Sequence, residues 1–531
     1  MWVELIIILI GLLFSWYLYM TRKYNYFKAK GIPYMEPCFP FGSNNMYKTF
    51  TGQSSFVEMG NPIYWNFPGS KIVGQFQFSE PQVVIKDLEL AKNIMIKDFD
   101  YFMDRRPADL PGKSKMTKIL GRMLTSLKGD QWKSMRSIVS PVFTSGKLKT
   151  MTTLVNKVGD DFVEHLAKYC KNGEPFDAKL TFTNFTLDTI ANCGFGFEAR
   201  ILKNPDNQFR TMITKLTQPN MILHLAKFML ITMCPWVMKI KEVSFLNEEA
   251  GNFILDIFSQ SMEERKKSNI KRNDLLDLLM DTLKADHKGI KQELEKDQFD
   301  QDAQVHVSKK NVIPDDEIDL YLLSNALVLF FAGFETSSTI MSVTSFFLAT
   351  HEDVQDKVYE EVSEAIAQNS GSDYLDYNHF QGMSYLDKVV HEVLRLYPLT
   401  LIERLCVKDY KVPDTNFVIP KGMLVQIPSS AIMRDPQYYD NPSEFNPENF
   451  SPEAKAKRSP YSFLAFGQGP RNCVGMRFAL LQVKISLIRL LAHYRLEKCA
   501  KTVSQLTPDP KSGSAQPKGG VWLTISPREL S

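Results

Sequence analysis

The feature that most constrains the fold is a glycine-rich loop near the C-terminus, Phe466-Gly-Gln-Gly-Pro-Arg-Asn-Cys-Val-Gly475. An apolar, helix-like run follows it at once. Glycines let a backbone turn tightly and approach a flat group closely. Amide N–H groups at a helix start lower the pKa of a nearby thiol. The sequence therefore predicts that Cys473 is held as a thiolate ligand for a metal, and that Arg471 pairs with a carboxylate.

A plainer interpretation exists, because a lone buried cysteine is usually a small inert hydrophobe. The spacing argues against it. The loop resembles the haem-binding signature F-x-x-G-x-R-x-C-x-G of the cytochrome P450 monooxygenases, and five fixed positions match by chance in about one chain in 10,000. The resemblance implies that Cys473 ligates the iron of haem b, and thiolate ligation favours O–O cleavage. It also implies that Phe466, Gly467, Arg471 and Gly475 contact the haem.

The composition is that of an ordinary globular protein. Of 531 residues 44% are hydrophobic and 23% are charged, and a net charge of +3 gives no sign of a nucleic-acid partner. The seven cysteines form no C-x-x-C pair, which predicts a reducing compartment without structural disulfides or a zinc site. The mostly helical period and the lack of repeats favour one large, mainly α body with small β-sheets over residues 44–531.

The N-terminal segment differs from the rest. Residues 2–20 are almost wholly apolar, and a helix of that length spans about 28 Å, close to the hydrocarbon thickness of a bilayer. Basic residues follow it and none precedes it, which predicts a cytosolic body. A cleaved signal peptide is the alternative, but a basic start and a cleavage site are lacking. We expect a transmembrane anchor at 1–21, a basic, proline-rich hinge at 22–43, and no later span of this length.

Helical periodicity predicts nine further helices, at 87–97, 130–140, 147–170, 208–216, 247–266, 315–349, 351–367, 383–397 and 475–491. Strand-like pieces lie at 71–78, 81–87 and 520–527. The polar run 284–312 predicts a solvated loop, with a partner-binding segment as the alternative. The apolar run 221–236 predicts a core helix or, by the resemblance, a membrane contact above the substrate pocket.

The motif Ala332-Gly-Phe-Glu-Thr336 lies inside the longest predicted helix. Gly333 costs about 1 kcal/mol there relative to Ala, which predicts either close helix packing or room for a ligand. A hydroxyl such as that of Thr336 can bond the carbonyl one turn back. The motif resembles the family's A-G-x-[DE]-T over the distal haem face. By the resemblance Ala332 and Gly333 contact haem, while Glu335 and Thr336 organise water and deliver protons; a purely structural role is the alternative.

Glu392 and Arg395 share a helix face at i,i+3, which in most proteins is only a weak exposed pair. Followed by Leu396-Tyr397-Pro398, they resemble the family's E-x-x-R helix, whose buried pair braces the haem loop. The family adds an arginine in P-E-R-F, where this chain has Asn449. We expect the brace to survive as an ion pair plus an amide.

Trp132 and Arg136 lie at i,i+4, which alone indicates a surface cation–π pair. They also resemble the family's W-x-x-x-R, whose indole and guanidinium hold the haem propionates. Two buried anions need cationic partners, and guanidinium forks suit carboxylates well. The candidate partners are Arg136, Arg471, Arg404 and Arg105.

The runs FETSS and S-P-x-F-T-S-G-K-L-K (140–149) resemble the animal clan of cytochrome P450s that oxidises xenobiotics, and insect-type members most. The resemblance implies the cytochrome P450 fold, the endoplasmic reticulum membrane and O2 as co-substrate. It implies NADPH-derived electrons from NADPH–cytochrome P450 reductase, with cytochrome b5 as a second donor. Lys133, Lys147 and Lys149 are candidate docking residues for an acidic donor.

The resemblance also places Phe334, Leu399 and Leu401 in a pocket for a lipophilic substrate, without naming the substrate. Two other functions stay open at this point: a haem-thiolate isomerase or dehydratase that does not use O2, and a non-catalytic haem or ligand carrier at the membrane. The acid–alcohol pair argues against both, and O2-dependent NADPH consumption would separate them from a monooxygenase.

Overall fold

A computed structural model describes residues 2–106, 114–217, 247–268, 274–287, 312–512 and 514–528, with residues 226, 227, 230, 271 and 272 between them. Most of the apolar run 221–236 and residues 288–311 of the polar run lie outside the described residues. Residues 284–287, expected in a loop, instead form the end of the helix Leu275–His287.

The body is mainly helical, as expected. The described α-helices are Trp2–Thr21, Tyr26–Ala29, Asn44–Phe50, Asn61–Asn66, Leu88–Lys92, Lys115–Arg122, Gly129–Val139, Ser145–Asn172, Ala178–Phe195, Gln208–Thr217, Glu248–Ser268, Leu275–His287, Ile318–Thr350, Glu352–Gln368, Tyr377–Gly382, Ser384–Leu396, Ser429–Ile432, Pro452–Lys457 and Met476–His493. Each of the nine predicted stretches is found within a few residues, although 87–97 changes to a π-helical turn at Asn93–Lys97.

Three small sheets accompany the helices. The largest has six strands in the order Pro37–Cys38, Gly42–Ser43, Ile72–Gln77, Glu80–Ile85, Leu424–Ile427 and Ile402–Leu405, and only the pairing of Glu80–Ile85 with Leu424–Ile427 is parallel among these strands. Tyr494–Lys498, Trp522–Pro527 and Phe176–Asp177 form the second sheet, and Tyr410–Lys411 pairs with Val418–Ile419 in the third.

The segment 22–43, expected to be a spacer, is bound to the body. The Gly74 N–H donates to the Pro33 carbonyl oxygen (2.8 Å), and the Met35 N–H donates to the Gly74 carbonyl oxygen (2.9 Å). Phe27 is fully buried, and a side chain at Gly74 would overlap its ring. The sheet of the body therefore begins inside the segment that its prolines predict to be a hinge.

The core is organised around the helix Ile318–Thr350, called here the central helix. It packs against Ala178–Phe195, Met476–His493 and Ser384–Leu396. With the preceding turn it is long and apolar enough to span a membrane by composition, with a mean hydropathy of 1.5, and this corrects the expectation of no second span. The apolar composition has another cause, because 56% of its most apolar window is buried inside the protein, and a helix packed among other helices needs little polar surface.

The N-terminal helix Trp2–Thr21 has the opposite environment. Its most apolar window has a mean hydropathy of 2.1 and is only 6% buried. Its long apolar side chains therefore lie outside the core, as a membrane anchor requires.

Candidate functional site

The loop 466–475, called here the cysteine loop, is closed by backbone hydrogen bonds. The Cys473 N–H donates to the Phe466 carbonyl oxygen and the Asn472 N–H to the Gly469 carbonyl oxygen, both at 2.9 Å. Gly467 and Gly469 have φ of +69° and +71°, where side chains are strained. A side chain at Gly469 would also overlap the Met95 carbonyl oxygen. This turn therefore requires glycine, as the sequence predicts.

Cys473 is accessible although Arg471 and Asn472 before it are buried. Protein surrounds the thiol, and this burial raises its pKa above the usual range, while the Gly475 N–H, Arg136 and Arg105 lower it. The helix start therefore lowers the pKa of the Cys473 thiol as expected, but burial raises that pKa by more. A thiol that is enclosed and still accessible borders an internal space, where a metal would stabilise the thiolate.

The central helix has an accessible face at the predicted motif. Ala332 and Thr336, one turn apart, are exposed within a helix that is otherwise mostly buried. The Thr336 hydroxyl donates to the Ala332 carbonyl oxygen at 2.7 Å. These two residues therefore border a space inside the protein rather than a neighbouring helix.

Gly333 and Phe334 do not share that face. A side chain at Gly333 would lie 3.1 Å from Ile190 Cδ1, so Gly333 allows close packing of the helix Ala178–Phe195, and this contact favours packing over room for a ligand. Phe334 is buried against Phe330 and Phe331, with ring centroids 5.5 and 6.1 Å apart.

The other two residues expected in the substrate pocket lie in different surroundings. Leu399 is half-buried against the main core, whereas Leu401 packs with Met46 and Met59 in a separate small cluster. Phe334 and Leu399 thus belong to the main core, and Leu401 belongs to the smaller cluster.

Glu335 lies beside residues that the sequence reasoning missed. Its Oε1 atom accepts hydrogen bonds from Lys179 Nζ (3.2 Å), Gln516 Nε2 (2.8 Å) and Ser514 Oγ (3.4 Å). Burial lowers the pKa of Lys179, and Glu335 partly offsets that effect. No local pattern joins positions 179, 335 and 516, so only the fold reveals this cluster.

The four arginines expected to be cofactor partners meet at the cysteine loop. Arg136 donates to the Asn472 carbonyl oxygen (2.9 Å) and to Asn472 Oδ1 (2.5 Å), and Arg105 donates to the Arg471 carbonyl oxygen (3.1 Å). Arg471 donates to backbone carbonyls and lies 4.0 Å from the centroid of the buried Trp132 ring. A cation over the Trp132 ring is therefore Arg471, which the sequence pattern did not pair with it.

This arginine cluster has an excess of positive charge. Burial and the cations Arg105 and Arg404 lower the pKa of Arg471 to about 8, and burial and Arg105 lower the pKa of Arg404 to about 9. Asp104 lies 3.8 Å from Arg471, and the buried Arg404 Nε has no hydrogen-bond partner among the described residues. Such cations need buried anions, and a flat cofactor with two carboxylates would supply them.

The Glu392–Arg395 pair is fully buried in the helix Ser384–Leu396. Arg395 Nε and Nη2 donate to the two carboxylate oxygens of Glu392 at 2.7 and 2.8 Å. Asn449 Nδ2 donates to Glu392 Oε1 at 3.1 Å. The ion pair plus an amide that the sequence predicts is therefore present.

Comparison with known proteins agrees with this geometry. A family model for cytochrome P450 matches residues 67–524. The chain belongs to the cytochrome P450 family. It is 35% identical over 533 residues to cytochrome P450 9e2 of Blattella germanica, with 96% of each chain covered. It is 32% identical to cytochrome P450 6B2 of Helicoverpa armigera over 519 residues, 98% of this chain and 97% of that one.

A third relative is cytochrome P450 6a9 of Drosophila melanogaster, 33% identical with 98% of each chain covered. This P450 therefore resembles insect members, as its sequence motifs predict. Family membership makes it a haem-thiolate monooxygenase, an oxidoreductase that contains haem iron and uses O2. A non-catalytic carrier is thereby disfavoured, and O2-dependent NADPH consumption remains the measurement that separates a monooxygenase from an isomerase.

Proposed function

We propose that this P450 inserts one oxygen atom from O2 into a lipophilic small molecule, xenobiotic or endogenous, at the endoplasmic reticulum membrane. NADPH–cytochrome P450 reductase supplies the electrons, with cytochrome b5 as a second donor. The observation that carries the proposal is the group of buried guanidiniums around an enclosed but accessible thiol.

Haem b fits the residues that are present. Its two propionates would neutralise the cluster of Arg105, Arg136, Arg404 and Arg471, and they offer an acceptor to the unpaired Arg404 Nε. Cys473 would be the metal ligand. When bound, the haem iron supplies the activation of O2 and the oxidising power for oxygen insertion.

The acid and the alcohol of the central helix would handle protons. Hydrogen bonds from Lys179 and Gln516 hold Glu335 Oε1, so the carboxylate has a defined position beside the central helix. The Thr336 hydroxyl donates a hydrogen bond to the Ala332 carbonyl oxygen, which leaves its own oxygen lone pairs available as acceptors on the accessible face. Protons would pass from Glu335 through ordered water to that hydroxyl.

The Glu392–Arg395 pair would brace the cysteine loop from outside the site. Arg395 Nη1 donates to the carbonyl oxygens of Met433 (3.0 Å) and Pro442 (2.7 Å), and the Leu464 N–H meets Met433 Sδ at 3.4 Å. The pair thus holds the backbone that leads into the loop of Cys473.

The anchor at 1–21 would fix the catalytic domain, 44–531, to the cytosolic face of the membrane through the segment 22–43. Positive residues after the apolar helix support that orientation. A substrate that partitions into the bilayer would then reach the enzyme at a raised local concentration.

An acidic electron donor would dock on the start of the helix Ser145–Asn172. Lys147 and Lys149 are exposed there. Lys133 has a side chain only 19% exposed and 3.6 Å from Asp100, so it offers less charge to a partner than the sequence predicts.

The first test is the carbon-monoxide difference spectrum of the reduced protein. The wild type should give the strongly red-shifted Soret band of a thiolate adduct, and Cys473→His should lose it. Cys499→Ser is the matched control, because Cys499 is a half-buried cysteine outside the loop, with its Sγ 3.5 Å from Thr502 Oγ1. An unchanged band in Cys473→His would remove the assigned ligand.

The second test measures NADPH consumption with and without O2 in membranes that contain the reductase. Consumption should require O2, and Lys147→Glu with Lys149→Glu should slow it about tenfold while turnover driven by peroxide is unchanged. Lys171→Glu, at the other end of the same helix, is the control. Equal loss in both assays would exclude a docking role, and consumption without O2 would exclude monooxygenation.

A further inference from the structure

A second arginine reaches the Glu392–Arg395 pair from a position outside any family motif. Asn449 stands where the P-E-R-F pattern has an arginine, so the family's third charge is missing from its usual place. Arg458, nine residues later at the end of the helix Pro452–Lys457, donates through Nη1 to the Asn449 carbonyl oxygen. The residue that lacks the charge is therefore itself bound by a guanidinium.

Arg458 and Arg395 share an aromatic partner. The guanidinium carbon of Arg395 lies 4.9 Å from the centroid of the Tyr439 ring, and that of Arg458 lies 4.5 Å from it. Arg458 also lies 4.9 Å from the Phe450 ring centroid. Tyr439 and Phe450 are buried, so both cation–π contacts are largely shielded from water, where they are strongest.

Glu392 and Arg395 already balance each other in charge, and Arg458 brings a second cation near the Glu392 carboxylate. Glu392 is fully buried, and Arg395 and the neutral Asn449 amide contact its carboxylate. Burial lowers the pKa of Arg458 overall and Arg395 lowers it further, whereas Tyr439 and Glu392 raise it, so Glu392 attracts this more distant guanidinium. This attraction favours a position of the half-buried Arg458 guanidinium near Glu392.

The group connects to the cysteine loop through aromatic packing. The Phe450 ring lies 5.1 Å from the Phe463 ring, edge to face. Phe463 precedes Leu464, whose carbonyl oxygen accepts the Gly467 N–H at 3.0 Å. A side chain that fixes Phe450 therefore influences where the cysteine loop begins.

We propose that Arg458 takes the place of the arginine that the family has at position 449, and that it is a positioning residue for the cysteine loop. The inference rests on the proposed bracing role of Glu392 and Arg395. The Arg458 guanidinium lies over the Tyr439 ring, as that of Arg395 does, and donates a hydrogen bond to the Asn449 carbonyl oxygen. It supplies the positive charge that the Asn449 side chain lacks.

The test is a double-mutant cycle on the haem-loaded, full-length protein. Arg458→Gln should release haem about tenfold faster to an excess of a haem-binding acceptor protein and should convert part of the thiolate-type carbon-monoxide spectrum to an imidazole-like one. Asn449→Arg in that background should restore both readouts to within about twofold of wild type. The same Asn449→Arg change in the wild type should give no gain, because Arg458 already occupies the position.

Lys457→Gln is the matched control, since it removes one exposed cation from the preceding residue. Arg458→Lys keeps the charge but not the planar stack, and it should give an intermediate haem-release rate if stacking on Tyr439 matters. Haem release from Arg458→Gln that equals that of Lys457→Gln would overturn the proposal. So would an Asn449→Arg change that leaves the Arg458→Gln defect unrepaired.

Arg395→Gln separates this inference from the bracing role on which it rests. If Arg395→Gln retains haem like the wild type, the brace itself is wrong and Arg458 has nothing to support. If Arg395→Gln loses haem while Arg458→Gln does not, the brace stands and only the inference about Arg458 fails.

Discussion

One oxygen atom of Glu335 accepts three hydrogen bonds, and one of the three donors is a cation. The side chains of Lys179 and Glu335 are only 11% and 15% exposed, so each charge depends on the other for the solvation that water would give. Lys179 Nζ also donates to Ser338 Oγ at 2.7 Å, on the same helix as Glu335. The proposed proton donor is thus held in a small polar cluster between two buried helices.

We therefore expect Lys179→Met to lower the free energy of unfolding by about 1–3 kcal/mol, because it leaves a buried carboxylate without its cation. The double variant Lys179→Met/Glu335→Gln should recover most of that loss but not catalytic turnover. Urea unfolding of both variants measures the first effect. A double variant as unstable as the single one would show that the ion pair is not the source of the loss.

Gly467 and Gly469 of the cysteine loop differ in the space that is available for a side chain. Both have positive φ, but a side chain at Gly467 would have 3.8 Å to its nearest atom, whereas one at Gly469 would overlap a backbone carbonyl. Gly467→Ala should cost about 1–2 kcal/mol from backbone strain alone. Gly469→Ala should cost more and abolish the thiolate-type spectrum, which haem content and the carbon-monoxide spectrum would measure. Equal losses in the two variants would contradict the overlap.

At the scale of elements, periodicity predicted most of the longer helices that have a polar face, but not Lys115–Arg122 or Leu275–His287. It missed Ala178–Phe195, because nearly all of that helix is buried and its threonines and apolar residues show no amphipathic period. The central helix is also mostly buried, but its length and its negatively charged start made it recognisable.

The residues of the candidate site also divide into those that a local motif marks and those that only the fold brings together. Cys473, Thr336 and Arg471 belong to local motifs, and such motifs are visible in one sequence. Lys179 contacts Glu335, 156 positions away, and Arg458 contacts Asn449, 9 positions away. No sequence motif marks either contact. Gly333 was visible, but only the neighbouring Ile190 showed which of its two interpretations fits.

A salt bridge joins two of the elements that support the cysteine loop. Lys484 Nζ of the helix Met476–His493 lies 2.8 Å from Asp387 Oδ1 of the helix Ser384–Leu396, and His391 Nδ1 lies 3.2 Å from Asp387 Oδ2. Burial alone would raise the pKa of Asp387, but His391 and Lys484 outweigh it and hold that pKa well below its usual range. The ionised carboxylate therefore stabilises the packing of these helices.

Because the folded pKa of Asp387 lies below its unfolded value of about 3.9, its contribution is present above about pH 4 and is lost as the pH falls through the folded pKa. Asp387→Asn should lower the free energy of unfolding by about 1 kcal/mol at pH 7, and the difference from wild type should shrink below pH 4. Urea unfolding at several pH values measures it. Glu360→Gln, an exposed acid on a neighbouring helix, is the control; a difference that grows in acid would contradict the sign.

At the scale of the whole molecule, the anchor and the body are joined without a free linker. Met20 is buried at the end of the N-terminal helix, and the rings of Trp16 and Tyr17 lie 4.8 and 5.2 Å from that of Phe39. Ser43 Oγ donates to the Met35 carbonyl oxygen (3.0 Å) and accepts the Phe76 N–H (2.9 Å). The segment 22–43 is thus part of the folded body, although the sequence predicts that it only tethers that body.

Two truncations test this arrangement. Removal of residues 2–21 should release the protein from membranes and leave its haem content and unfolding midpoint nearly unchanged. Removal of residues 2–43 should also lower the free energy of unfolding by about 2 kcal/mol or more, since the burial of Phe27 alone is worth that much. Membrane flotation and urea unfolding measure the two effects. Equal stability of the two truncated proteins would mean that the segment is a passive tether.

The packing of Trp16 and Tyr17 on Phe39, with Met20 buried, has a kinetic consequence for a membrane-anchored protein. A body on a flexible tether would rotate and meet other membrane-bound molecules in every orientation. These contacts would restrain the rotation of the body about the N-terminal helix, so the same side would face the bilayer during lateral diffusion. An encounter with a second membrane-bound protein would then be a search in a plane between two surfaces that are already aligned.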